Sequence, residues 1–281
     1  MIKLTDLEWQ LFCAAVLKED AADKDITSLL LVDENCTVRG SIIADENAVV
    51  CGIKGVETCF RILDPEVRFL ALKKDGDEVL AGEAVAKVEG RAKALFAAER
   101  SALNILAHLS GIATTTRSFV RSARNFGIEV YDTRKTRPLL RKLEKYAANI
   151  GGAKNHRLSL DEAVFVKDNH KRAAGGMAEI IKILQKNREK IAALPLIIEV
   201  EDLNELELAA SLRPDLILLD NFSQDEIKLA LERFGKVVEM EISGGVTVDS
   251  LEEMAQLGVK RLSSSSFIMK AQAKMFKLEV T

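Results

Sequence analysis

From residue 128 onward the sequence alternates between short apolar runs and longer stretches with helical periodicity. The apolar runs are continuous and do not alternate with polar positions, which is typical of strands buried on both faces of a parallel sheet. Candidate strands span residues 128–131, 163–166, 196–200, 216–219, 237–242 and 261–264. So many consecutive βα units predict a parallel sheet in an α/β barrel domain.

The first part of the chain has a different pattern. Residues 1–22 have the spacing of an amphipathic helix, with Leu7, Leu11 and Leu17 on its apolar face. Short β-rich runs between residues 36 and 90, broken by glycines and Asp-Gly pairs, predict a small, mainly antiparallel sheet. A long helix is expected over residues 99–124. The sequence therefore predicts two domains of different architecture.

Composition excludes several classes of function. The chain has 40 Lys and Arg residues against 43 Asp and Glu residues, so overall charge gives no basis for binding nucleic acid. It has no apolar run near the roughly 18 residues of a membrane span, and its first residues do not resemble a secretory signal. The four cysteines lack the spacing of a metal site and are interpreted as packing residues. We expect a cytoplasmic protein.

Polar residues follow each predicted strand, where a β/α barrel carries its functional groups. In chain order these are 132–136, Lys167 to His170, Glu201, Asp220 with Asn221, Ser243 with Gly244 and Gly245, and the serines 263–266. Glu201 and Asp220 supply hard oxygen ligands suited to Mg²⁺ or to ribose hydroxyls. The two loops after the last two strands are suited to binding phosphate through backbone N–H groups.

A basic segment suggests the kind of substrate. Residues 134–157 contain eight Lys or Arg residues and a single acid. Arg141, Lys142 and Lys145 fit the solvated face of a helix. Arg134 and Lys135, however, end a buried strand, and His156 and Arg157 follow a Gly-Gly pair. Buried cations need anionic partners, and a guanidinium group binds a carboxylate through two parallel hydrogen bonds. We therefore expect a pocket for a dicarboxylate.

The same residues carry a resemblance to the quinolinate phosphoribosyltransferase family, over nearly the full length of the chain. The matching motifs lie at residues 99–104, 109–114, 132–136, 144–147, 151–157, 166–170, 199–201, 219–222 and 243–245. The resemblance implies an N-terminal α/β sandwich domain at residues 1–110 and a seven-stranded α/β barrel at 111–267. The tail, residues 268–281, is expected to pack on the first domain. The implied reaction transfers phosphoribosyl from phosphoribosyl pyrophosphate to quinolinate and releases CO₂, as a step of NAD biosynthesis.

The resemblance also implies roles for individual residues. Those implied for quinolinate binding are Thr133, Arg134, Lys135, His156, Arg157 and Lys167, together with Arg100 donated across a homodimer interface. Lys135, Glu201 and Asp220 are the implied catalytic residues, and the last two also hold Mg²⁺ bound to phosphoribosyl pyrophosphate. Ser243, Gly244, Gly245, Ser264 and Ser265 are the implied phosphate-binding residues. Assembly of dimers into a hexamer stays open.

The sequence departs from the family pattern at three positions. Leu139 ends a segment that is usually Thr-Pro-Gly, Ser265 replaces a glycine of the final phosphate loop, and Met269 stands where His or Gln is common. These features resemble the pyrophosphorylase-like proteins of molybdenum-transport operons. Two alternatives therefore remain: an enzyme of that type with another substrate, or a non-catalytic dimeric binding protein of the same fold.

Overall fold

The computed structural model describes residues 2–281, which divide into two compact units. The first contains residues up to Ser118, Arg137–Gly152 and Ser266–Thr281, and the second contains Phe119–Thr136 and Ala153–Ser265. No helix within residues 2–281 combines the length and the apolar character needed to span a membrane.

The first unit is built around an antiparallel sheet of four strands in the order β12-β1-β5-β3. Its strands are β1 (Thr37–Ala44), β3 (Arg68–Ala71), β5 (Ala84–Arg91) and β12 (Phe276–Val280), and β2 (Ala48–Val49) pairs separately with β4 (Glu78–Val79). The helices are α1 (Asp6–Glu19), α2 (Ile26–Leu31), α3 (Ile53–Leu63), α5 (Arg141–Gly151) and α12 (Ser266–Met269), with most of α4 (Ala92–Arg124). The carboxyl-terminal strand pairs antiparallel with β1, from Ala44 opposite Phe276 to Gly40 opposite Val280.

Helix α1 forms where the sequence predicts it, but a different face is buried. Thr5 and Glu8 cap its first turn reciprocally, which satisfies backbone N–H groups that have no partner within the helix. The buried residues are Trp9, Cys13 and Leu17. Leu7 and Leu11 are 62% and 63% exposed, so the predicted apolar face was wrong for these two residues. Periodicity alone did not separate the two faces because the helix is apolar around much of its circumference.

Helix α5 buries two charged residues. Glu144 is fully buried and accepts hydrogen bonds from the backbone N–H and the guanidinium of Arg137, at 2.9 and 2.8 Å, and it lies 3.0 Å from Nε2 of His108. Lys145 is also fully buried, so its interpretation as part of a solvated face was wrong. The segment before this helix holds Leu139 at φ +64°, a left-handed conformation that favours glycine.

The second unit is a parallel sheet of six strands in the order β6-β11-β10-β9-β8-β7. The strands are β6 (Glu129–Tyr131), β7 (Val164–Val166), β8 (Leu196–Val200), β9 (Leu216–Asp220), β10 (Met240–Ser243) and β11 (Arg261–Ser263). Between them lie α6 (Asp168–Ala174), α7 (Met177–Lys186), α8 (Arg188–Ile191), α9 (Leu203–Ala210), α10 (Gln224–Phe234) and α11 (Leu251–Gln256). The parallel sheet and the βα alternation are confirmed. The sheet has six strands where the resemblance implied seven, and Lys154 adds only an isolated parallel bridge to Tyr131.

Candidate active site

The carboxyl ends of the parallel strands bring most of the predicted site residues to one edge of the sheet. Ser243 pairs with Asp220 in the register of β10 and β9, and Ser263 pairs with Tyr131 in that of β11 and β6. Since neighbouring strands lie about 4.8 Å apart, the loops that follow them are close together. Arg100 is exposed on α4, in the first unit.

Two cations of this edge lie over one aromatic ring. The guanidinium carbon of Arg157 lies 4.9 Å from the ring centroid of Phe165, and Nζ of Lys167 lies 4.4 Å from it. Such cation–π contacts hold a cation in place without neutralising its charge. Arg157 also donates a hydrogen bond from Nη1 to the carbonyl of Ala163 at 3.0 Å, which fixes the orientation of its guanidinium.

Arg134 adds a further positive charge beside Arg157. Burial lowers the pKa of Arg157, and the nearby charge of Arg134 lowers it further. Nε of Arg134 is buried and has no hydrogen-bond partner among the described residues. Neither guanidinium forms an ion pair with a carboxylate within residues 2–281. Two adjacent, partly buried cations with an unused donor are suited to binding an anion.

A group of carboxylates lies beside these cations. Nζ of Lys167 forms an ion pair with the buried carboxylate of Glu199. Burial raises the pKa of Asp220, and repulsion by Glu199 raises it further, while the charges of Lys167 and Lys135 oppose this rise. The backbone N–H of Lys135 donates to Oγ1 of Thr133 at 3.0 Å. The ionised form of Asp220 is therefore disfavoured mainly by burial, and a bound cation or a developing positive charge would stabilise it.

Glu201 is held by a buried lysine. Nζ of Lys171 donates to Oε2 of Glu201 at 2.9 Å and to Oε2 of Glu205 at 2.6 Å. Burial opposes protonation of Lys171, but the hydrogen bonds to Glu205 and Glu201 hold its pKa above the ordinary value. The backbone N–H of Glu201 also donates to Glu205 at 2.9 Å. The carboxylate of Glu201 is therefore oriented before any ligand binds, although 46% of its side chain is exposed.

The loop after β10 requires glycine at two successive positions. Gly244 and Gly245 have φ angles of +92° and +61°, so both adopt conformations that side chains disfavour. A Cβ atom on Gly244 would lie 2.3 Å from Oδ1 of Asn221, whereas one on Gly245 would meet no atom within 4 Å. Successive backbone N–H groups in such conformations can form a concave site for an anion.

The neighbouring loop after β11 contains the departure from the family pattern. The backbone N–H of Ser264 donates to the carbonyl of Tyr131 at 3.0 Å, which ties this loop to β6. Ser265 is not among the residues with positive φ. Its backbone therefore needs no glycine, and a Cβ atom causes no conformational strain here.

His156 is fixed at both its backbone and its ring. Its backbone N–H donates to Oδ1 of Asp132 at 2.8 Å, and the side-chain amide of Asn155 donates to Oδ2 of the same carboxylate at 2.7 Å. Nε2 of the ring lies 2.6 Å from Oε1 of Glu241, which is fully buried. Oε2 of Glu241 accepts a hydrogen bond from Nε of Arg261 at 2.6 Å.

Four residues of this environment are absent from the predicted site: Phe165, Lys171, Glu199 and Glu241. The two glutamates had a recognisable signal, because each is a single charge within an apolar strand. Glu199 lies between Ile198 and Val200, and Glu241 between Met240 and Ile242. A charge in such a position requires a buried partner. Lys171 and Phe165 had no comparable signal, since both residue types are common on helices and in strands.

Both parts of the chain match known proteins. Residues 25–110 match the N-terminal domain of quinolinate phosphoribosyl transferase, and residues 112–279 match its C-terminal domain. A probable carboxylating nicotinate-nucleotide pyrophosphorylase of a Synechocystis species is 40% identical over 234 residues, which cover 82% of this chain and 78% of the relative.

Two solved structures are similar over the whole chain. The nicotinate-nucleotide pyrophosphorylase of Francisella tularensis has a TM-score of 0.91 at 30% identity, with 100% of this chain and 98% of that chain covered. The NadC protein of Streptococcus pyogenes has a TM-score of 0.93 at 33% identity, with 100% and 99% covered. The matches cover both domains in sequence and the full length in structure, and the chain belongs to the quinolinate phosphoribosyl transferase family.

Proposed function

We propose that this chain transfers phosphoribosyl from phosphoribosyl pyrophosphate to quinolinate, giving nicotinate mononucleotide, pyrophosphate and CO₂. The observation that carries the proposal is the pair formed by Arg134 and Arg157. Neither forms an ion pair within the described residues, although the charge of Glu162 acts on Arg157, and a buried nitrogen of Arg134 has no hydrogen-bond partner there. Such a pair requires an anionic ligand, and quinolinate brings two carboxylates. The family matches, with relatives named for carboxylating pyrophosphorylase activity, support the same substrate.

In this proposal each of the two carboxylates of quinolinate is bound by different cations. Arg134 and Arg157 bind one through paired charge-assisted hydrogen bonds, and His156 with Lys167 contacts the other. The carboxylate that leaves must be held less tightly than the one that stays, since strong binding of the leaving group would stabilise the ground state. Ser243, Gly244, Gly245, Ser264 and Ser265 receive the 5-phosphate through their backbone N–H groups.

The reaction then needs positive charge to be stabilised on the sugar. The lone pair of the quinolinate ring nitrogen forms a bond to C1 of the ribose while the bond from C1 to the diphosphate oxygen breaks. Asp220 and Glu201 stabilise the positive charge that develops on the ribose ring, and Lys135 stabilises the negative charge on the diphosphate. The 2-carboxylate leaves as CO₂ and its electron pair remains on C2, next to the cationic ring nitrogen. C2 then takes up one proton.

The donor set at this edge fits Mg²⁺ bound together with phosphoribosyl pyrophosphate. Asp220 and Glu201 offer hard carboxylate oxygens. Burial raises the pKa of Asp220 and repulsion by Glu199 raises it further, so a bound cation would stabilise its ionised form. The described residues contain no group of three or more metal-ligating side chains, so the ion would take its other ligands from the diphosphate and water. When bound, Mg²⁺ supplies positive charge that stabilises the leaving diphosphate.

The proposal includes a cytoplasmic homodimer with shared active sites, in which Arg100 enters the partner's site. Six large apolar side chains of α1 and α2, namely Leu7, Leu11, Ile26, Leu29, Leu30 and Leu31, are 56–80% exposed. An apolar surface of this kind supports burial against another chain. Free thiols at all four cysteines support a reducing compartment.

The test is a coupled measurement of products with phosphoribosyl pyrophosphate, Mg²⁺ and a panel of pyridine carboxylates. We expect quinolinate to give nicotinate mononucleotide, pyrophosphate and CO₂ in equal amounts, and nicotinate to give none. In calorimetry nicotinate should bind about ten- to a hundredfold more weakly than quinolinate, because it lacks one charge-assisted contact worth about 1.5–3 kcal/mol. Equal affinity, or turnover of a different acceptor only, would contradict the proposal.

Two arginine variants provide a matched comparison. Arg157→Ala should reduce quinolinate affinity by about tenfold or more, since it removes one member of the unpaired cationic site. Arg233→Ala removes the same charge from α10, where Arg233 pairs with Glu207 on the exposed surface, and should leave quinolinate binding unchanged. A similar loss in both variants would mean that overall charge, and not this pocket, controls binding.

A further inference from the structure

Glu241 is a buried carboxylate without a role in the chemistry proposed above. It lies in β10 with none of its surface exposed, and its neighbours in that strand, Met240 and Ile242, are apolar and buried. Its two oxygens have different partners. Oε1 lies 2.6 Å from Nε2 of His156, and Oε2 accepts from Nε of Arg261 at 2.6 Å.

Arg261 anchors this carboxylate from β11. Its guanidinium carbon lies 3.8 Å from the ring centroid of Tyr131, and Nη1 lies 3.4 Å from Oε2 of Glu239. Burial alone would raise the pKa of Glu241, but the hydrogen bonds from His156 and Arg261 hold it below the ordinary value. Glu241 is therefore an ionised acceptor at neutral pH, and its Oε2 already accepts a hydrogen bond from Arg261.

This arrangement determines which nitrogen of His156 carries a proton. An ionised carboxylate is only an acceptor, so the 2.6 Å contact requires an N–H at Nε2. Within residues 2–281 the structure gives Nδ1 no partner, and the backbone of His156 is held by Asp132. Nδ1 is then the nitrogen available to a ligand. In the neutral ring it presents a lone pair, which repels a carboxylate. In the doubly protonated ring it presents a donor.

We propose that Glu241 is a positioning residue that acts through His156. It fixes the ring with a proton on Nε2 and supports the cationic form, whose Nδ1–H donates to a carboxylate of quinolinate. The inference rests on the proposed function for the identity of this ligand. Quinolinate therefore binds best to the form of the protein in which both nitrogens of His156 carry a proton.

Other charged and titratable groups surround this pair. From β11 the pair faces Arg261, from β6 it faces Tyr131, and directly after β6 the carboxylate of Asp132 accepts from the backbone N–H of His156. Burial raises the pKa of Tyr131, so its hydroxyl stays neutral. On β9 the residue opposite Glu241 is the apolar Leu218. An imidazole is the side chain of this group whose charge ordinarily changes between pH 6 and 8.

Kinetics across pH test the proposal. With Glu241→Gln, the KM for quinolinate should begin to rise at a lower pH. The KM at pH 8 should then be about tenfold higher than in the unmodified protein, and the two should agree within about threefold at pH 6. The KM for phosphoribosyl pyrophosphate should be unchanged. An unchanged KM for quinolinate, or an increase of equal size at every pH, would overturn the proposal.

Glu239→Gln is the matched control. Glu239 also pairs with Arg261 and lies two residues from Glu241, but its side chain is 71% exposed, and within residues 2–281 the carboxylate that lies beside the ring of His156 is that of Glu241. This variant should keep the pH profile of the unmodified protein. In a His156→Gln background, adding Glu241→Gln should cause no further change in the pH dependence, because the effect passes through His156. A further shift in the double variant would contradict this route.

A spectroscopic measurement separates this inference from the proposed function. The chain has three histidines, so ¹⁵N signals of labelled imidazoles can be assigned, with His156→Gln identifying the ring of interest. In the ligand-free protein Nε2 of His156 should be protonated from pH 6 to pH 9. A neutral ring protonated at Nδ1 instead would overturn the positioning role even in an active enzyme. Absence of nicotinate mononucleotide in the product assay would refute the proposed function while leaving this hydrogen bond testable.

Discussion

A methyl group at Gly244 would be placed where the structure has no room for one. The φ angle of +92° disfavours any L side chain, at a cost of about 1–2 kcal/mol. The new Cβ atom would lie 2.3 Å from Oδ1 of Asn221 and 2.9 Å from its Cγ. Asn221 would have to move, and its hydrogen bond to Oδ2 of Asp220, 3.0 Å in length, would be lost at a cost of about 1 kcal/mol. Gly244→Ala should therefore destabilise the protein by about 2–3 kcal/mol.

Gly245→Ala is the control that separates the backbone cost from the cost of the steric contact with Asn221. Its φ of +61° imposes a similar backbone cost, but a Cβ atom there meets nothing within 4 Å, so we expect a loss of about 1 kcal/mol. Urea unfolding should be followed by circular dichroism, because the single tryptophan, Trp9, belongs to the other unit. The KM for phosphoribosyl pyrophosphate should rise more in Gly244→Ala than in Gly245→Ala.

A further substitution tests the reasoning directly. Asn221→Gly in the Gly244→Ala background removes the atoms that the new Cβ would meet, and it also relieves the left-handed conformation of Asn221 itself, at φ +56°. About 1 kcal/mol of stability should be recovered. Equal destabilisation by the two single substitutions, with no recovery in the double variant, would refute the steric explanation.

Three further predictions concern other parts of the molecule. Arg100→Ala and Lys135→Ala should each be nearly inactive alone, and mixing the two should restore activity measurably, because one site of a mixed dimer then has both original residues. No recovery after verified subunit exchange would contradict shared sites. Ser265→Gly should change the affinity for phosphoribosyl pyrophosphate by less than about tenfold, or about 1.4 kcal/mol, and calorimetry showing a large gain would mean that the serine impairs the loop. The pKa of Glu144 is held low by its hydrogen bonds from His108 and Arg137, although burial opposes this. Its contribution to stability is therefore present above the ordinary glutamate pKa of about 4.3 and is lost as the pH falls through the lower folded-state value. Acid unfolding of Glu144→Gln should show a weaker dependence on pH in this range, and an unchanged dependence would contradict the assignment.

The sheet of the second unit was predictable because its signal is local. Each strand is a continuous apolar run, and each run lies between stretches of helical periodicity. The same signal does not define where each strand begins. The predicted strand 237–242 begins at Met240 in the structure, because the backbone N–H groups of Val237 and Val238 bond to the carbonyl of Phe234 at the end of α10. Apolar residues at the end of a helix and at the start of a strand have the same pattern.

Much of the candidate site was predictable for a geometric reason. Parallel strands place their carboxyl ends at one edge of a sheet, so residues after different strands converge whatever their separation in sequence. This rule brought together the basic residues, the carboxylates and the glycine loop from positions between 132 and 265. It applies only to loops at that edge, and it gave no information about Arg100, whose place in a partner's site stays a prediction.

By itself, then, the sequence determined the parallel sheet, the antiparallel sheet before it, the edge at which the candidate site residues lie and the family. The tertiary structure alone decided how the buried charges pair, and it buries one charge that the sequence placed at the surface. Lys145 was expected at the surface and is buried, and Glu241 lies beside His156 across 85 positions of sequence. The physical reason is that strand and helix periodicity depends on neighbouring residues. The partner of a buried charge depends instead on how distant segments pack. Neither Glu241 nor His156 therefore indicates in the sequence that the other is its partner.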